Sequence, residues 1–326
     1  MMLKKLICVL IILCVLLAML GAAAPDSQTT REAPESLKVL CIGNSFTQDI
    51  MAYLPMVLRE SLPETEVTVG LLHTSSATLA NHLQWIDEGR KYHAFLFWRP
   101  DRNAWKRFYS EKSVSLERAL ELRDWDVISF HGVCDDILSD EAREQMFADA
   151  ARLTEWLRQH AQKPVVLMWI ERVGIQKESL PPDEIAARLR DAAIRAEAEL
   201  DIDAVIPIGD SFQIARENEE LRKIGTSPAG NLLYMDNAHL QAGLPDLLAS
   251  YTAAAAILHY YGLDVERIER STWVPTNESV VEIRANNEEG STVTHGFPDG
   301  VTPENVALAK KIAAESVLRF ADEIKR

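Results

Sequence analysis

The sequence predicts an α/β fold, a parallel sheet covered by helices on both faces. Five short runs, at 37–42, 67–72, 126–130, 165–170 and 204–208, are rich in Val, Ile and Leu. They show little polar alternation, which marks strands buried on both faces. Helical patterns fall between them, so strand and helix alternate along the chain.

The elements follow in order. Lys4 and Lys5 precede an apolar run over 6–20, and small residues at 21–24 lead to Pro25. That pattern describes a secretory signal peptide over 1–24, cleaved after Ala24. The rival is an uncleaved membrane anchor, since the run is just long enough to span a bilayer. Residues 25–36 are polar and Pro-bearing, and read as a flexible lead-in. A single domain is expected over 37–326. Its helices are expected at 50–61 (stopping before Pro63), 113–122, 141–160, 183–200, 211–221, 244–261 and 304–324. In 141–160 the apolar Ala142, Met146, Ala150, Leu153 and Leu157 recur at helical spacing. The stretch 244–261 is apolar enough for a buried helix. Residues 271–303 break the pattern and read as a hairpin or surface excursion, with Asn277-Glu278-Ser279 in a glycosylation-acceptor pattern.

Composition excludes several classes. The chain has 326 residues, 47% hydrophobic and 25% charged, so it is neither disordered nor a disulfide scaffold. Its formal net charge is −15. Phosphate backbones and anionic membranes need a basic patch, so no nucleic-acid partner is expected. Nor is a membrane partner, apart from the N-terminal segment. Cys8 and Cys14 lie in the signal segment. Cys41 and Cys134 remain, each near a strand end, either paired or as free buried thiols.

Two short motifs carry chemistry. The first strand runs into Gly43-Asn44-Ser45-Phe46-Thr47, followed by a helix. In open parallel sheets ligands bind beyond the carboxyl ends of the strands, so Ser45 is well sited as a nucleophile. Helix-start N–H groups there can meet a developing oxyanion. The same residue types also make a plain N-cap turn. The second motif is Asp236-Asn237-Ala238-His239-Leu240, ahead of the 244–261 helix. Its Asp can orient and charge-stabilise the His, which can then take a proton from a serine hydroxyl. A metal would need further ligands nearby, and none is evident.

Taken together, these motifs resemble the two ends of the SGNH (GDSL-type) hydrolase pattern. The landmarks are Lys38-Val-Leu-Cys-Ile-Gly-Asn-Ser-Phe, Asp124-Trp-Asp-Val-Ile, Ile206-Pro-Ile-Gly-Asp-Ser-Phe-Gln-Ile-Ala-Arg216 and Asp236-Asn-Ala-His-Leu. More narrowly, the chain is similar to an uncharacterised secreted branch of that superfamily, of Bacteroidetes type. The resemblance covers residues 37–261. It implies a flavodoxin-like three-layer α/β/α sandwich with a five-stranded parallel sheet. It also implies a triad of Ser45 as nucleophile, His239 as general base and Asp236 as its partner. The oxyanion hole it implies comprises the Ser45 N–H, a Gly N–H after the second strand and an Asn side chain after the third. In this sequence Ser76 (or Ser75) replaces the Gly, and His131 stands at the Asn position. A backbone donor survives the first change if the backbone keeps its shape, although Ser tolerates positive φ less well. A neutral His can donate one ring N–H.

Trp98 and Arg99, with Trp105, fall in the loop region before the third strand, where an aromatic and an Arg could hold a sugar or a carboxylate. Trp169, at the end of the following strand, could line the same mouth.

The expected function is a secreted or periplasmic serine esterase acting on a small-molecule or carbohydrate ester, without metal or organic cofactor. The alternatives are an O-acyltransferase with the same triad and a catalytically silent carbohydrate-binding protein.

Overall fold

A computed structural model of the chain describes residues 32–99, 104–107, 113–173, 180–222, 240, 243–273 and 301–325. Residues Ala33–Arg326 form one compact unit. Strand β1 (Ser36–Gly43) is buried along its second half and leads directly into helix α1 (Ser45–Met51). Helix α2 (Leu54–Ser61) and strand β2 (Glu66–His73) follow. Then come α3 (Leu79–Asp87), β3 (Ala94–Arg99), β4 (Ala104–Arg107), α4 (Leu116–Glu121) and β5 (Val127–Phe130). A 3₁₀ turn at Cys134–Ile137 leads into α5 (Asp140–His160), β6 (Val166–Ile170), α6 (Pro182–Glu199) and β7 (Ala204–Ile206). The last described elements are α7 (Ile208–Glu217), α8 (Glu219–Arg222), α9 (Leu244–Tyr260), α10 (Arg267–Arg270) and α11 (Pro303–Ile324).

The sheet order is β4-β3-β2-β1-β5-β6-β7. The five expected runs form its parallel part, paired β2-β1-β5-β6-β7. The expectation of a five-stranded sheet was too small. β3 pairs antiparallel with β2, and β4 with β3, extending one edge. These two strands occupy the segment read from sequence as a loop. They form one margin of the sheet, which tolerates mixed aromatic and charged sequence better than the all-aliphatic centre.

Topology places the helices. The β1–β2 connection runs one way across the sheet, and the β5–β6–β7 connections run the other way. Right-handed crossovers therefore carry α1–α2 and α5–α6 to opposite faces. On one side α9 packs against α1, α2, α7 and α11; on the other α3 packs against α4 and α5. Helix α9 is buried at every residue from Leu244 to Leu258, as a helix surrounded by other helices must be.

The single helix expected at 50–61 is two helices. Pro55 in the interior of a continuous helix would clash with the Met51 carbonyl and lack its own N–H. The chain instead breaks at Ala52–Tyr53, and Pro55 sits in the first turn of α2, where it is tolerated. Ser250 of α9 fills the break: its hydroxyl donates to the Ile50 carbonyl (2.6 Å) and accepts from the Tyr53 N–H (3.2 Å).

Cys41 is a free, buried thiol whose pKa burial pushes up to about 12. No helix among the described residues is long and apolar enough to cross a membrane. Residues 1–24, with the expected signal peptide, and most of the 271–303 excursion lie outside the described residues.

Candidate active site

The site is built at the carboxyl end of β1, where the chain turns without a spacer from strand to helix. Asn44 caps α1, its Oδ1 accepting from the Phe46 N–H at 3.0 Å. Its own N–H donates to Thr47 Oγ1 at 3.2 Å, closing a capping box. Ser45 is thereby fixed as the first helical residue, half-buried while Asn44, Phe46 and Thr47 around it are buried. Gly43 has no room for a side chain. A Cβ there would lie 2.0 Å from Thr47 Oγ1 and 2.9 Å from His131 Nε2.

The loop after β2 lies against this turn. The Thr74 N–H donates to the Gly43 carbonyl at 3.0 Å, and Asn44 Nδ2 donates to the Ala77 carbonyl at 3.0 Å. Between these ties sits Ser76, with φ +56°, the only described non-glycine residue at positive φ. L-residues pay for that conformation and glycine does not. Ser76 thus holds a backbone shape suited to glycine, at the position where the resemblance implies one. Thr78 then caps α3, accepting from the Asn81 N–H at 3.2 Å.

His131 follows β5 and is buried. Its Nδ1 lies 2.6 Å from the Gly132 carbonyl, which can only accept, so this nitrogen carries the proton. Nε2 then accepts from Thr47 Oγ1 at 2.7 Å. The result is one relay, from the Asn44 N–H through the Thr47 hydroxyl and the His131 ring to the Gly132 carbonyl. Burial, and then the Arg172 cation, push the His131 pKa down to about 3, so the ring is neutral. Its one N–H is spent on Gly132. In this arrangement the expected oxyanion donor instead buttresses Thr47 and the Ser45 turn.

β6 contributes two buried ionisable residues just past its end. The Glu171 pKa is raised to about 8, by burial and then by the Asp210 charge. Its Oε2 accepts from the Asp210 N–H at 3.1 Å. Asp210 is ion-paired with Arg190, which also holds Glu323 at 2.5 Å. Arg172 is buried, with its guanidinium 4.0 Å from the centroid of the Phe46 ring.

The other expected site residues divide. Trp98 and Trp169 are each only 4% exposed. Trp98 lies opposite Trp105 in the β3–β4 register, and Trp169 packs edge-on to Phe130 with ring centroids 5.7 Å apart. Both are core residues, not a stacking platform. The Arg99 side chain, Asp236 and His239 lie outside the described residues. Leu240, next in sequence to His239, is buried, and its N–H donates to Asp49 Oδ2 at 3.1 Å. Asp49 lies one turn along α1 from Ser45. Among the described residues no group of three or more His, Cys, Asp or Glu is placed to hold a metal ion.

Sequence reasoning gave Thr47 no role. Its only signal was its place three residues after Asn44, the spacing of a capping box.

No family model and no curated protein matches the chain. Among solved structures it is similar to a DUF4886 family protein from Bacteroides uniformis, with a TM-score of 0.66 and 20% identity over 87% of this chain and 95% of that one. At that identity the likeness is one of fold. Two further solved structures match at TM-scores of 0.40 and 0.35. A lipase from a goat rumen metagenome is 15% identical over 68% of this chain and 97% of that one. A gut microbial diltiazem-metabolizing enzyme is 11% identical over 72% of this chain and 49% of that one.

Proposed function

We propose that this chain is a secreted serine esterase of SGNH type, on a flavodoxin-like three-layer frame, hydrolysing O-acyl carbohydrates or similar small esters. The observation that carries the reading is the junction of two loops. Ser45 starts a helix at the carboxyl end of the central strand, and the neighbouring loop holds Ser76 in a glycine-like conformation. That pairing supports a nucleophile beside a backbone-donor cradle.

In this reading Ser45 Oγ attacks the ester carbonyl carbon while His239 takes the hydroxyl proton. Asp236 holds the His tautomer and stabilises its charge. The oxyanion meets the N–H groups of Ser45 and Ser76. The C–O bond to the alcohol breaks, and the alcohol leaves with the proton from His239. Water then attacks the acyl-enzyme, giving one proton to His239; the bond to Ser45 Oγ breaks, Ser45 takes that proton back from His239, and the acid leaves. His131 acts as a positioning residue, through Thr47. The Leu240–Asp49 hydrogen bond ties the residue that follows His239 in sequence to α1. The N-terminal pattern at 1–24 supports secretion.

The test compares the chain with its Ser45→Ala variant on p-nitrophenyl acetate and acetylated xylan. The variant is expected to lose about 10³-fold or more in kcat/KM. Equal rates for the two proteins would remove Ser45 as nucleophile. One observation favours a second reading, a catalytically silent carbohydrate binder: His131 offers no third oxyanion donor, and a missing donor costs on the order of 10²–10³ in rate. Saturable glycan binding by a chain that hydrolyses no ester would select it.

A further inference from the structure

Arg172 is out of keeping with its surroundings. It is 7% exposed, yet among the described residues it makes no hydrogen bond and no ion pair, and its Nε is buried without a partner. Arg190, only half-buried, is matched by Asp210 and Glu323. A guanidinium stays charged throughout the working pH range and carries five donors. Burying it without an anion is costly, and proteins rarely do so.

The nearby carboxyls do not fill that role. Glu171, adjacent in sequence, turns to the Asp210 N–H, and burial favours its neutral form. Asp210 is taken by Arg190. Asp136 feels the Arg172 charge, but its Oδ2 accepts from the Val133 N–H at 2.9 Å and forms no ion pair with Arg172. His131, also close, is neutral.

The position of Arg172 is fixed. Gly209 packs so tightly on this strand end that a Cβ there would lie 2.7 Å from the Arg172 carbonyl. The guanidinium carbon lies 4.0 Å from the ring centroid of Phe46, the residue after Ser45. Arg172 also lines a narrow crevice with Gly132, Val133, Met146 and Trp169, at the ends of β5 and β6. A planar cation held against an aromatic face, with its edge donors unspent, is the geometry that receives a carboxylate in bidentate fashion.

We propose that Arg172 is an anion subsite of the Ser45 centre and selects substrates that carry a carboxylate close to the ester. This deepens the esterase reading and rests on it for the identity of the reaction.

The test uses two matched pairs of esters. On the acyl side p-nitrophenyl hemisuccinate is set against p-nitrophenyl butanoate. On the alcohol side acetylated galacturonate is set against acetylated galactose. At least one carboxylate-bearing member is expected to exceed its neutral partner in kcat/KM by about ten-fold or more, the scale of a charged hydrogen bond. In Arg172→Met that ratio is expected to collapse towards one. Arg172→Lys, which keeps the charge but loses the fork, is expected to fall between and covers the case in which the Met variant does not fold. A wild-type ratio near one in both pairs, or a ratio that survives Arg172→Met, overturns the subsite.

Calorimetric titration of the Ser45→Ala chain with succinate and galacturonate separates the two claims. Binding that disappears when Arg172→Met is added, in a chain whose wild type hydrolyses no ester, keeps the subsite and removes the esterase. Hydrolysis without charge preference keeps the esterase and removes the subsite.

Discussion

Ser76 shows what one residue costs and what it preserves. At φ +56° a side chain costs roughly 1–2 kcal/mol that glycine would not. The backbone N–H is the same in either case. Ser76→Gly is therefore expected to keep activity and to change stability by less than about 1 kcal/mol, since glycine's gain in the fold is offset by its freedom in the unfolded chain. Ser76→Val, β-branched at the same φ, is expected to lose about 1–2 kcal/mol or more and most of the activity. Denaturant midpoints and ester turnover check both, and an indifferent Val variant would remove the loop from the site. Much of this was legible beforehand. The block His73-Thr74-Ser75-Ser76 sits where a glycine is implied, and the structure gives Ser76 a glycine's backbone. The engagement of His131 was not legible. It depends on Thr47, 84 residues away in the chain, lying 2.7 Å from one ring nitrogen, while the other turns to the adjacent Gly132 carbonyl at 2.6 Å.

At the scale of elements, the strand-to-helix junction is the tightest part of the site. Gly43→Ala would push a methyl group into Thr47 Oγ1 and His131 Nε2. The β1–β2 pairing holds Gly43 level with His73, so strand movement is not an easy escape. The variant is expected to lose about 1–3 kcal/mol by overpacking. It is also expected to lose activity beyond what unfolding explains, because Thr47 closes the capping box that sets Ser45. Turnover per folded molecule separates the two effects. Full activity in the folded fraction would mean that the cap does not position the nucleophile. Strands and long helices were legible because buried parallel strands leave unbroken aliphatic runs and α9 an unbroken apolar one. The β3–β4 pair was not. Ala-Phe-Leu-Phe-Trp-Arg and Ala-Trp-Lys-Arg resemble a binding loop until the open side of β2 is known.

For the molecule as a whole, acid is the informative stress. His73, His82 and His93 are all buried, with His82 Nδ1 2.9 Å from His93 Nε2 and the two rings stacked. Burial lowers the pKa of His73 and His93 to about 4, and that of His82 well below its ordinary value. The unfolded chain takes up these protons near pH 6.5, but the folded chain resists until about 4. Stability present at neutral pH is thus lost as pH falls through that window. Glu171 works in the opposite direction. Its raised pKa means the fold gains relative stability as pH falls from about 8. The net melting curve mixes the two, so the clean readout is a difference. Between pH 6.5 and 4 the Tm of His73→Gln is expected to fall less steeply than that of the parent. Parallel curves would show that His73 does not resist protonation.

The two outer strands of the sheet have a bearing on how the molecule behaves in company. β4 is four residues long and β7 three, so among the described residues neither margin offers a long row of unspent backbone groups. Strand-by-strand accretion of one copy onto another needs such a row. With a formal charge of −15, neighbouring copies also repel before they meet. The pair β3–β4 thus does more than widen the sheet. It covers the second half of β2, Gly70–His73, and its own outer strand is a margin of four residues, too short to template a fibril.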